Sequence, residues 1–340
     1  TVLVVLCMTL AVVLMQLTYT LARGFDMDKY LKKWVVSDFI LGDASYFHHY
    51  NVDYSAPFPA VPEEDIQKID GTGKVTESGR IYGHQLNIYS YVTKEAYRDF
   101  FSLWMPEEEM NEMIDLLEKD DAGRVNTDIK LYGMEDYPLS QLNVVDGDLS
   151  DLFDPDKRAI AAVYLADDYD KPMEKTQWAK VGDQVTVHYV YEWEYYDDAT
   201  CKKISKEEAR NLQRPYTAKE KEAADITYEV AACVMIKNAM SYRYTGALEY
   251  VMNAQTFQRD SRTSDVMTYL FNTAPEDNEF MEDYLYDYTN DTNLNLDYES
   301  KQNYVEQYQE YCSMYLVVGS ALSLIVGMVG ILNFFNAVLT

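Results

Sequence analysis

The chain has 340 residues, with 57 Asp+Glu against 29 Lys+Arg and a formal net charge of −28. That balance excludes a nucleic-acid surface, which needs a basic footprint. It argues against a broad face pressed on anionic lipid and leaves room for a cationic peptide partner. Every formally charged side chain lies between Arg23 and Glu310, so both ends are uncharged and apolar.

Residues 1–22 form the first apolar run. At about 1.5 Å rise per residue such a run makes a helix of roughly 30 Å, the thickness of a hydrocarbon core. It is too long for a signal peptide and lacks a basic start and a small-x-small cleavage site. The chain begins inside this run without a Met and ends as the last run reaches its far side, so it reads as a piece of a longer protein. Arg23, Lys29, Lys32 and Lys33 taken alone would place the large domain in the cytoplasm. A large domain is translocated regardless of such local charge, so it is expected on the outside of the cell membrane, in a multi-pass protein.

Met27, Tyr30, Leu31 and Trp34 fall on one face of a short amphipathic helix. Residues 35–41 read as a buried strand, and Pro57, Pro59 and Pro62 as a loop. A short helix runs from Pro62 to Ile69. Gly71, Gly73 and Gly79 break the chain before a strand over 80–92. Helices follow over 94–104 and from Pro106, where three Glu suit the helix dipole. Strands are predicted over 127–132, 158–165, 184–195, 226–236 and 265–271. In the 184–195 strand Val185, Val187, Tyr189, Tyr191, Trp193 and Tyr195 share one face. It pairs with the 226–236 strand across a Lys/Glu-rich insertion, 202–224, read as a helix or a mobile lobe. A helix carrying Phe280, Met281, Tyr284, Leu285 and Tyr288 on one stripe precedes the last segment.

From Lys301 onward Tyr304, Val305, Tyr308, Tyr311, Cys312 and Tyr315 keep helical spacing without Gly or Pro until Gly319. One continuous helix is predicted, leaving the domain as a stalk over 301–313 and crossing the membrane over 314–340. Gly319, Ser323 and Gly327 stand four apart and make a ridge of small residues against which another helix can pack. Asn333 and Asn336 on the final turns need interhelical or interfacial partners. Cys201 and Cys233 are left open, bridged or free; two cysteines do not make a disulfide framework.

The run from Val317 to Asn336 resembles the second membrane helix of FtsX/MacB-type ABC transporter permeases, a Gly/Ser-spaced apolar stretch ending in a Gly-x-Leu-Asn-x-x-Asn-like turn. Lys180-Val-Gly-Asp-Gln-Val-Thr-Val187 resembles a strand of that family's extracellular core, and Leu131-Tyr-Gly133 and Val144-Val-Asp-Gly147 resemble two of its turns. The order helix, ectodomain, helix is also that family's. The resemblance implies an α+β extracellular domain (23–300, mixed or antiparallel sheet with packed helices) between two transmembrane helices. It also implies a permease that works with a separate cytoplasmic ABC ATPase, membrane lipid, and a second permease half or a homodimer partner. The Tyr-rich hairpin matches no family motif, so no ligand is carried over.

No catalytic or cofactor motif is present. Gly71-Thr-Gly-Lys74 lacks the spacing of a phosphate-binding loop. His48 and His49, adjacent in an extended segment, point to opposite sides and do not make a metal site. Asp146, Asp148 and Asp151, like 167–170, lack calcium-loop order. Tyr189, Tyr191, Trp193 and Tyr195 beside Glu192 and Glu194 either form an exposed aromatic–acidic surface suited to a cationic amphipathic peptide or lie beneath a helix. Two functions compete. The first is an ABC permease that exports or extracts a peptide, lipopeptide or other amphiphile, as in antimicrobial-peptide resistance. The second is a membrane-anchored sensory or binding ectodomain.

Overall fold

The computed structural model describes the chain except residues 1, 25, 48–58, 85, 168, 238–239, 241–246 and 340. In chain order the first elements are α1 (Val2–Gly24), α2 (Met27–Trp34), β1 (Phe39–Asp43), α3 (Ala44–Phe47) and α4 (Glu63–Asp70). Next come β2 (Val75–His84), β3 (Ile88–Val92), α5 (Lys94–Phe101), α6 (Glu107–Leu116), β4 (Val125–Met134), α7 (Asp136–Ser140), β5 (Asn143–Gly147) and β6 (Ala159–Val163). The hairpin region holds β7 (Gln184–Asp197), β8 (Lys202–Ile204), α8 (Lys206–Asn211) and β9 (Tyr216–Met235). The chain closes with β10 (Leu248–Asn253), α9 (Ala254–Ser261), β11 (Val266–Thr273), α10 (Asn278–Asp287), β12 (Leu296–Ser300) and α11 (Lys301–Leu339). Two compact units result, Thr1–Val35 with Ser300–Thr340, and Val36–Glu299.

The larger unit is an α+β domain. Its strands run β10-β6-β9-β7-β3-β4-β2-β11-β1-β12, and β10 also pairs with β4, so the first six close into a ring. β10 with β4 and β6 with β9 are parallel, while β7–β9 and β2–β11 are antiparallel. The sheet is therefore mixed. Its two faces carry separate cores because side chains alternate along each strand. Ile129 and Leu131 of β4 join Tyr250 and Phe257 on one face; Tyr132 and Met134 join Val251 and Leu270 on the other. Tyrosine supplies much of the filling: Tyr46, Tyr132, Tyr189, Tyr228, Tyr250 and Tyr269 are all fully buried.

The 184–195 and 226–236 strands pair as expected, Val187 opposite Ile226. Several other predicted elements shift. Residues 35–38 are not strand: Ser37 Oγ donates to Phe39 O at 2.7 Å and Asp38 N donates to Asn272 Oδ1, so side chains replace the ladder there. Gly79 does not break the chain but lies inside β2, where a Cβ would stand 2.3 Å from Pro138 Cδ. The predicted 80–92 strand is two strands with a bend between them, Asn87 standing at φ 60°. The 202–224 insertion is neither a helix nor a lobe throughout. Only α8 is helical, capped by Ser205 and Glu208 in a reciprocal box, and residues 216–224 simply extend β9. Residues 248–253, unassigned from sequence, form the fully buried β10. His48, His49 and Pro57 lie outside the described residues.

Gly147, in one of the family-like turns, sits at φ +81°, where a Cβ would meet Ala231 O at 2.3 Å. Glycine alone suits both constraints.

Candidate functional site

In the helical unit α1 and α11 pack along their length. Both are long and apolar enough to cross a membrane. A Cβ placed on Gly319 would lie 2.1 Å from Thr18 Oγ1, so the glycine is what lets the Thr18 side chain seat against α11. Thr18 Oγ1 donates to Leu14 O at 2.8 Å and Ser323 Oγ to Gly319 O at 2.8 Å, so both hydroxyls are satisfied within their own helices. Ser323 is buried. Gly327 is less tight, a Cβ there standing 3.7 Å from Ala11 Cβ. Gly330 is closer to α1, at 3.1 Å from Cys7 Cβ. Sequence reading passed over it because it breaks the four-residue spacing, although it follows Gly327 by three, the other helical neighbour distance. Asn333 is partly buried and Asn336 exposed.

α2 is preceded by Asp26, whose carboxylate accepts from Lys29 N at 3.1 Å and caps the helix. The Tyr30 ring packs on Tyr308 of α11 at 5.3 Å between centroids. Burial, then the neighbouring Tyr311, pushes the Tyr30 hydroxyl above its ordinary pKa.

Of the two readings of Tyr189, Tyr191, Trp193 and Tyr195, a covered face holds for the first half of the strand and a partly open one for the second. Tyr189 is 1% exposed, and its hydroxyl stands 2.9 Å from that of Tyr228, which donates to Asp260 Oδ2 at 2.8 Å. Tyr228 spends its only proton on the carboxylate, so Tyr189 donates to Tyr228. Burial first, then Tyr189, raises the Tyr228 pKa far above the phenol range. Tyr191 donates to Asp260 O at 2.7 Å, and the Arg262 guanidinium lies 3.8 Å from its ring centre. The cation expected from a peptide is thus the chain's own. α9 and the residue after it cover this half of the strand, and the polar stretch 254–261 gave no sign of a covering helix. Trp193 and Tyr195 are only partly buried, Tyr195 meeting Tyr216 edge-on at 6.0 Å.

Beside them His188 Nδ1 lies 2.7 Å from Asp225 Oδ1 and Nε2 3.1 Å from Glu220 Oε2, with Tyr89 stacked on the ring at 4.7 Å. The grouping joins β3, β7 and β9 at the root of the exposed hairpin. No cluster of His, Cys, Asp and Glu suited to a metal ion occurs among the described residues. Cys201 is exposed at the hairpin tip and Cys233 is buried; both are free thiols. The Cys233 sulfur accepts from Tyr164 Oη at 3.0 Å.

No family model matches the chain, and none of the curated proteins matches it. Among solved structures it is similar to the periplasmic region of MacB from Actinobacillus actinomycetemcomitans, with 7% identity and a TM-score of 0.41, over 82% of this chain and 95% of that one. It is also similar to the extracellular domain of the noncanonic ABC-type transporter YknZ from Gram-positive bacteria, with 13% identity and a TM-score of 0.32, over 72% and 87%.

One buried ion pair stands apart from the surface charges. Lys130 Nζ and Glu249 Oε1 are 3.5 Å apart on neighbouring parallel strands, both nearly inaccessible, with Tyr132 Oη also on the carboxylate. Burial lowers the Lys130 pKa and raises that of Glu249, each opposed by the partner's charge. Removing either partner would leave the other charge buried and uncompensated.

Proposed function

We propose that this chain is the permease portion of an ABC-type transporter, in which a separate cytoplasmic ATPase moves an extracellular domain to export or extract a peptide, lipopeptide or other amphiphile. The carrying observation is α11. β12 ends at Ser300, and α11 begins at the next residue and continues for 39 residues, about 60 Å, without a break. A helix of this kind resists bending, so a shift at one end reaches the other. The packed pair of α1 and α11, built on Gly319, supports a membrane bundle rather than a single tether. The order of elements and the sequence resemblance supply the ATPase partner and a second permease half or homodimer. The extracellular placement rests on the same grounds.

The amphiphile class rests on the membrane setting and on the partly buried aromatics Trp193, Tyr195 and Tyr216 among acids at the hairpin tip. A sensory or binding ectodomain would need no such coupling. Proline inside a helix removes a hydrogen bond and clashes with the preceding turn, at a cost of about 3 kcal/mol or more. Gln309→Pro is therefore expected to leave the sheet domain folded while abolishing transport and its coupling to ATP hydrolysis. Transport at the wild-type rate by a folded Gln309→Pro protein would overturn the coupling role and favour the sensory alternative.

A further inference from the structure

Within the helical unit, the region where α2 meets α11 forms an open pocket of about 430 Å³. Its walls are largely aromatic, formed by Tyr30, Tyr308, Tyr311 and Tyr315, with Lys29 and Lys33 contributing the cations. Asp26 also borders it, but that carboxylate already accepts from Lys29 N as the cap of α2. The Lys33 ammonium lies 5.5 Å from the Trp34 ring centre. The Lys29 ammonium has no carboxylate partner among the described residues.

The level of this pocket along the helices decides what it can hold. α1 ends at Gly24, and Glu310 is the last charged residue of α11. Residues 24–33 and 308–315 thus straddle the point where both helices change from apolar to charged. In a bilayer this is the headgroup level, where tyrosine rings concentrate and an ammonium group comes within reach of lipid phosphate. The pocket size is that of small-molecule sites, and its mixture of ring faces with a few charged groups suits an amphiphile.

We propose that this pocket holds the headgroup of an anionic phospholipid, its phosphate oxygens on Lys29 and Lys33 and its glycerol backbone against the rings of Tyr308 and Tyr311. The proposal rests on the reading that α1 and α11 cross a bilayer. One headgroup does not require the acidic domain to face the membrane, so the net charge of −28 is no obstacle. The bound lipid would join α2 to the start of the long helix and make that junction sensitive to membrane composition.

The test uses the full chain, purified in mild detergent, titrated with phosphatidylglycerol or phosphatidylcholine and observed by native mass spectrometry. Wild type is expected to retain one phosphatidylglycerol in preference to phosphatidylcholine. Lys29→Gln/Lys33→Gln should weaken that retention by about tenfold or more, since each lysine near a membrane surface contributes appreciably to anionic-lipid attraction. Lys29→Arg/Lys33→Arg should retain it. Lys32→Gln, on an exposed lysine that does not border the pocket, should leave it unchanged. Undiminished retention by the double Gln variant, or an equal loss in Lys32→Gln, would overturn the site and leave only diffuse basic attraction. Alkaline extraction of the same protein from membranes tests the underlying reading separately. Release into the soluble fraction would remove the spanning helices, whatever the lipid data show.

Discussion

Gly133 in the sheet domain and Gly319 in the helical pair each let a neighbour close in, with different results. In the sheet domain a Cβ on Gly133 would lie 2.4 Å from Phe257, so the missing side chain makes room for a large ring from α9. In the helical pair a Cβ on Gly319 would strike Thr18, so the missing side chain makes room for a small hydroxyl side chain from α1. Inside the domain, water exclusion rewards volume, and the vacancy is filled. Between apolar helices in lipid there is no such reward, so a small side chain fills the gap and the helices pack closely.

The largest expected effect tests the filled side. Phe257→Ala empties the space above Gly133 and should cost the domain about 3–5 kcal/mol, read by denaturant unfolding. Adding Gly133→Ala to that variant should recover part of the loss, because the new methyl enters the vacated space. A double mutant no better than the single would mean that Phe257 does not fill the glycine gap.

The next effect is on the helix pair alone. Gly319→Leu/Gly327→Leu should separate α1 from α11, seen as lost energy transfer between labels near their ends, with the melting of the sheet domain unchanged. Retained transfer would remove the small-residue ridge from the account.

The smallest effect is local. At the hairpin tip, hydrogen bonds from Arg214 and then Thr200 hold the Asp197 carboxyl down at a pKa of about 2. A depressed folded pKa gives stability that is present above the unfolded value, near 4, and is lost as the pH falls toward about 2. Amide exchange over 198–215 is expected to accelerate through that window while the β10 amides stay protected. Asp197→Asn should show the faster exchange already at neutral pH. Equal acceleration in both regions would mean global acid unfolding rather than release of the tip.

Much of this was legible in the residues. The two charge-free ends, the alternation of 184–195, and the glycine- and proline-free run from Lys301 each report a period or a length that only one structure satisfies. What stayed hidden depended on partners remote in the chain. β10 is a short buried run with no alternation to mark it, because both its faces are covered. α9 is polar along much of its length, yet Phe257 and Asp260 make it the lid over Tyr189 and Tyr228. The tyrosine face could therefore be read from sequence as open or covered, and in the fold one half of it is covered. The 202–224 insertion misled for a related reason: its Lys/Glu content suits a helix, but pairing with β7 draws residues 216–224 into a strand.

That same strand leaves a long edge. β9 pairs with β7 from Tyr216 to Glu229, while β6 joins the other side only from Glu229 onward. Along 216–228 the second edge carries no strand among the described residues, and such an edge is a template for aggregation. Lys219, Glu220, Lys221 and Glu222 sit on it, all exposed. A second copy docking antiparallel about a two-fold axis would set Glu220 against Glu220 and Lys219 against Lys221, or Lys221 against Lys221 and Glu220 against Glu222. Each register opposes like charges, which destabilises cross-strand pairing. The alternation thus disfavours those two registers of edge-to-edge pairing between copies, at the place where the hairpin edge is longest.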